Sequence, residues 1–111
     1  MNENVVHFDI YLEFCKTVRG DIKYSEEHSE EFNDLYCFSY LVACGKCDKD
    51  SIYFFVEQVV NSKIFGEPRY VIDRIISFFS KHKMYQELAF AMQFAHEHGL
   101  DTINEQEDYL L

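Results

Sequence analysis

PRYVIDRIISFFSKHKMYQELAFAMQFAHEH, residues 68–98, carries two apolar stripes separated by a polar turn. Ile72, Ile75, Ile76 and Phe79 recur at helical spacing, and Ser80-Lys81-His82-Lys83 interrupts them. Leu88, Ala91, Met92 and Ala95 then form a second stripe, widened by Phe90 and Phe94. Ala89, Ala91 and Ala95 are small enough to allow a close approach between helices. Pro68 suits a first helical turn, where its fixed φ and missing N–H cost little. The stretch predicts a helical hairpin.

Working outward, Gly20, Gly45, Gly66 and Gly99 each follow a segment with helical spacing of apolar residues. Glycine is the expected residue just past a helix, because it turns left-handed without a Cβ clash. One proline and four glycines leave little room for the many tight turns of an all-β domain. Ser25 or Ser29 opens a second helix, with Glu30 and Glu31 in a first turn where the helix dipole favours acids. Its expected inner face is Phe32, Leu35, Tyr36, Ser39, Val42 and Ala43. Asp50 or Ser51 caps a third helix with Ile52, Phe55, Val56, Val59 and Val60 inward. Asp101 caps a short last helix to about Tyr109.

The opening segment supports two readings. Phe8, Tyr11, Leu12, Cys15 and Val18 mark one face of a helix that ends at Gly20. Phe8, Ile10, Leu12 and Phe14 also alternate with polar residues, which is the period of a strand. The fold expected is a single all-α domain over residues 1–111: a compact bundle of about five to six short helices, with a short N-terminal strand as the alternative. The 68–98 hairpin is similar to one unit of many helical-repeat proteins, but one unit is not an array.

Composition removes several functional classes. With 48% hydrophobic and 17% aromatic residues, the chain can build a sizeable core. Twenty acids against ten Lys and Arg give a net charge of −10 with no basic arm. A direct grip on nucleic-acid phosphates is therefore disfavoured. Charged residues cut every apolar run well short of the roughly 18 residues a membrane helix needs. No charged-then-apolar leader opens the chain, so the four cysteines read as reduced thiols in a cytoplasmic protein.

Cys44-Gly45-Lys46-Cys47 is the one motif-like string. Structural zinc takes four ligands, so the weaker metal alternative adds Cys37, with His28 or Cys15 as the fourth. A redox CxxC sits at a helix N-terminus, whereas here the expected helix ends at the motif. His96 and His98 fall on different helix faces. No carboxylate has a Ser or His at a recognisable catalytic spacing, and no Gly-rich phosphate loop is present. The expectation is a protein without enzymatic activity or a cofactor.

Charge is uneven along the chain. Residues 1–43 carry a net −6, residues 44–83 a net +2, and residues 84–111 a net −6 with no base at all. Glu26, Glu27, Glu30, Glu31 and Asp34 form the densest patch. On a continuous helix, Glu27, Glu30, Glu31 and Asp34 would share one face and repel. Such a face either keeps an aromatic-rich protein in solution or awaits a basic partner. Tyr36, Tyr40 and Tyr109 could anchor that partner, and Glu105 and Asp108 would add acids from the C-terminal end.

The acidic run Glu26–Glu31 and the base-free end from Met84 to Leu111 give the chain a resemblance to bacterial toxin-immunity proteins, of the bacteriocin or contact-dependent growth inhibition kind. That resemblance implies a cytoplasmic inhibitor of a cognate toxin domain, often a basic nuclease whose nucleic-acid-binding or active-site surface is occluded. No direct contact with nucleic acid or membrane is expected. A helical adaptor or regulatory subunit, and a small zinc module at Cys44 and Cys47, are the alternatives. Were segment 5–15 a strand, its edge would allow a homodimer.

Overall fold

The computed structural model describes residues 7–100. Its helices are α1 (Phe8–Arg19), α2 (Ser29–Cys44), α3 (Lys49–Asn61), α4 (Pro68–Lys81) and α5 (Tyr85–Glu97). A 3₁₀ turn, Glu26–His28, leads into α2. The described residues contain no strand, so the all-α expectation holds and the strand alternative for the opening segment falls. The physical reason is visible at Phe14 and Cys15. Both are buried, and neighbouring residues cannot face one side of a strand. The expected last helix, with its cap Asp101, lies outside the described residues.

Local sequence signals account for several helix ends. Gly45 is left-handed (φ 69°, ψ 29°), and the Lys46 and Gly45 N–H groups donate to the Leu41 and Val42 carbonyls at 3.1 Å. These bonds close the end of α2 as a Schellman motif. Pro68 occupies the first turn of α4. The cap of α3 is a correction, because it is Asp48 rather than Asp50 or Ser51. The Ser51 backbone N–H donates to the Asp48 carboxylate at 2.8 Å, which satisfies one N-terminal donor.

The helices pack α1 on α2 and α4, α3 on α2, α4 and α5, and α4 on α5. Phe14 stands where α1, α2 and α4 meet. Its ring lies 5.0 Å edge-on from both Phe38 and Phe78 and 5.9 Å from Phe79. This cluster rotates α1 away from its expected phase. Phe14, Cys15 and Val18 are buried, while Phe8 and Leu12, assigned inward from sequence, are 63% and 52% exposed. A similar turn of α5 buries Phe94 and leaves Met92 outside. Tyr36 is only half-buried; Phe38 takes an inner position on α2 instead.

A few polar contacts tie the helices together. Cys15 Sγ donates to buried Ser39 Oγ at 3.1 Å, and Ser39 Oγ donates onward to the Leu35 carbonyl at 2.7 Å. Glu13 on α1 meets His82 Nε2 at 2.7 Å and Lys81 Nζ at 3.2 Å. The hydrogen bond with His82, then that with Lys81, holds the Glu13 carboxyl below its ordinary range. Arg74 Nη1 donates to the Val18 carbonyl at 3.1 Å and to the Phe65 carbonyl at 2.9 Å. A guanidinium thereby satisfies a carbonyl of the last turn of α1 and pins the α3–α4 connection to it. Replacing Arg74 with methionine is expected to cost about 1.5–3 kcal/mol, the range for hydrogen bonds from charged groups. Urea unfolding checks this; a loss within error would assign those carbonyls to solvent.

Candidate functional site

Only four residues, Gly45–Asp48, separate α2 from α3, so the chain folds back and the start of α2 lies beside the end of α3. The cleft between them has a volume of about 370 Å³ and is lined by Glu30, Glu31, Asp34, Glu57, Gln58, Asn61 and Ser62. Four carboxylates, two amides and a hydroxyl face this space, and no lysine or arginine lines it. Three of the lining acids come from the predicted cluster. Glu57 and its polar neighbours on α3 were not anticipated.

The acids of the cleft are not equivalent. Glu30 and Glu31 lie in the first turn of α2, where the positive end of the helix dipole stabilises them. Glu31 also meets His28 Nδ1 at 3.4 Å. Asp34 lies one turn further in, beyond most of that help. Burial, then the charges of Glu30 and Glu31, push its carboxyl above the ordinary range. Ionising Asp34 therefore costs stability.

The sign of that cost sets a prediction. A carboxyl whose folded pKa is raised destabilises the fold above that pKa, and the penalty disappears once pH falls below its unfolded value of 3.8. Asp34→Asn is therefore expected to stabilise the protein by about 0.5 kcal/mol at neutral pH, the scale of a like-charge helical pair. The gain should vanish in acid. Thermal unfolding of both proteins across that pH range tests it, and a variant less stable at pH 7 would refute the repulsion.

The rest of the predicted site is dispersed. Glu26 and Glu27 are exposed in the 3₁₀ turn, so Glu27 does not share a continuous helical face with Glu30, Glu31 and Asp34. Tyr36 lies on the opposite flank of α2, where it lines a groove of about 440 Å³ with Tyr11, Leu12, Cys15, Arg19, Lys23, Tyr24 and Phe32. Tyr40, four residues on, follows Tyr36 along that flank and is 48% exposed. The tyrosines therefore do not stand beside the acids of the cleft. Glu105, Asp108 and Tyr109 lie outside the described residues.

The cysteines are four free thiols, two buried and two accessible to different degrees. Among the described residues, no group of three His, Cys, Asp or Glu side chains could hold a metal ion, so Cys37, Cys44 and Cys47 are not gathered. Only Cys44 ends a helix; Cys47 lies just before the cap of α3. Burial, followed by the nearby Glu87 and Asp48 charges, pushes the Cys47 thiol up to about 12. A thiol held protonated in this way is a poor nucleophile. No helix of the described residues is long and apolar enough to cross a membrane.

No protein-family model, curated protein or solved structure matches the chain.

Proposed function

We propose that this protein is a toxin-immunity protein that binds and neutralises a basic toxin domain, a nuclease being the class whose charge suits it best. The observation that carries the reading is the base-free cleft of Glu30, Glu31, Asp34 and Glu57. Lysine and arginine side chains that hold nucleic-acid phosphate would enter it, and the toxin surface would be occluded. Carboxylates crowded with no lysine or arginine among them cost stability, as the raised Asp34 carboxyl indicates, and a bound cationic surface would relieve that cost. Glu26 and Glu27, exposed in the 3₁₀ turn ahead of α2, add long-range attraction. In this reading the chain is a cytoplasmic binding protein without catalytic activity or a cofactor.

A second reading, a helical adaptor, draws support from the apolar side of α1 and its groove with α2, where Leu12 and Tyr24 are both more than half exposed. One experiment separates the two. The tagged full-length chain is used to capture partners from the cells that produce it, at low and then high salt. One basic protein released by salt supports the immunity reading; coexpression must then suppress that protein's toxicity. A near-neutral partner that resists salt overturns it in favour of the adaptor.

A further inference from the structure

The side of α1 turned away from the core carries an unexplained pattern. Phe8 and Leu12 are 63% and 52% exposed, one helical turn apart. Asp9 and Lys16 are exposed beside them. At about 100° per residue, these two charges fall within roughly 20° of each other around the helix, with Leu12 close to the middle of the span between them along its axis. Among the described residues neither joins an ion pair: those present link His28 to Glu31 and Glu13 to Lys81 and His82. The apolar strip continues sideways, because Phe8 stacks on Tyr11 at 5.8 Å and Tyr11 and Leu12 enter the groove shared with Tyr36.

We infer that this face of α1 docks a second copy of the chain, α1 against α1 and antiparallel. The charge pattern selects that occupant because it is self-complementary. A two-fold axis beside Leu12 brings Asp9 of each chain opposite Lys16 of the other, and the two Leu12 side chains meet at the centre. Phe8 then packs toward the end of the second α1, near its Arg19. An isologous contact requires the same patch to supply both halves, and an acid and a base on either side of an exposed leucine meet that requirement. The acidic cleft lies across α2 from α1 and remains open in the dimer.

Sedimentation equilibrium of the full chain over a micromolar concentration series tests this. The expected mass rises from 13.3 kDa toward twice that value. Leu12→Glu should remain monomeric, since it places a carboxylate against itself across the axis. Asp9→Lys and Lys16→Asp should each weaken the dimer roughly tenfold, because every dimer contains two such pairs. The double variant, with the charges exchanged, should recover most of the loss. Circular dichroism confirms that each variant keeps its helices, and Asp9→Asn serves if a reversal disturbs α1. A chain that stays monomeric, or a dimer indifferent to Leu12→Glu, overturns the proposal. So does a double variant no tighter than the single ones.

Discussion

Replacing Glu30 and Asp34 together with lysine is expected to slow association with a captured basic partner about a hundredfold at low ionic strength. Both side chains line the cleft between α2 and α3, so the change converts its charge where a cationic surface would approach. The deficit should shrink as salt is added, because screening removes attraction and repulsion alike. A control variant, Asp50→Lys with Glu67→Lys, makes the same change in net charge at exposed positions away from the cleft. Its rate should fall much less. Stopped-flow association at several salt concentrations distinguishes local from total charge. Equal rates for both variants would reduce the cleft to a solvated surface.

Phe14→Ala is expected to destabilise the fold by about 3–5 kcal/mol, the cost of removing a fully buried phenylalanine and leaving its space unfilled. That is a large share of the roughly 5–15 kcal/mol that holds an ordinary domain together. Phe14 is 0% exposed and contacts rings from α2 and α4, so neither neighbour can close the gap without disturbing the other. Phe8→Ala, on the exposed side of the same helix, should change monomer stability by no more than about 0.5 kcal/mol. Urea unfolding of the pair reports which side of α1 faces the core. A larger loss from Phe8 than from Phe14 would restore the apolar phase expected from spacing alone.

That phase shows how far local patterning reaches. Phe8, Tyr11, Leu12, Cys15 and Val18 share one face, Phe14 adds an apolar residue beside it, and periodicity cannot choose which part of so broad an arc turns inward. The choice came from aromatic rings on two other helices. The cleft divides in the same way. Its Glu30, Glu31 and Asp34 wall stood out as a run of unpaired acids, whereas Glu57, Gln58, Asn61 and Ser62 looked like the ordinary solvent side of α3. Nothing local to α3 says that its polar end will face the acidic start of α2.

What the sequence determined by itself was the class of structure and its punctuation: helices from the period of the apolar residues, the left-handed close of α2 at Gly45, and the start of α4 at Pro68. These are short-range effects, settled by backbone sterics and by hydrogen bonds within a turn or two. Only the tertiary structure decided which stripe of α1 went inward, that Tyr36 and the acids would occupy opposite flanks of α2, and that CxxC would be split between a helix end and a buried loop residue. Each of those outcomes depends on which helix lies alongside. That is set by the joint packing of distant side chains, of which any one segment holds only half.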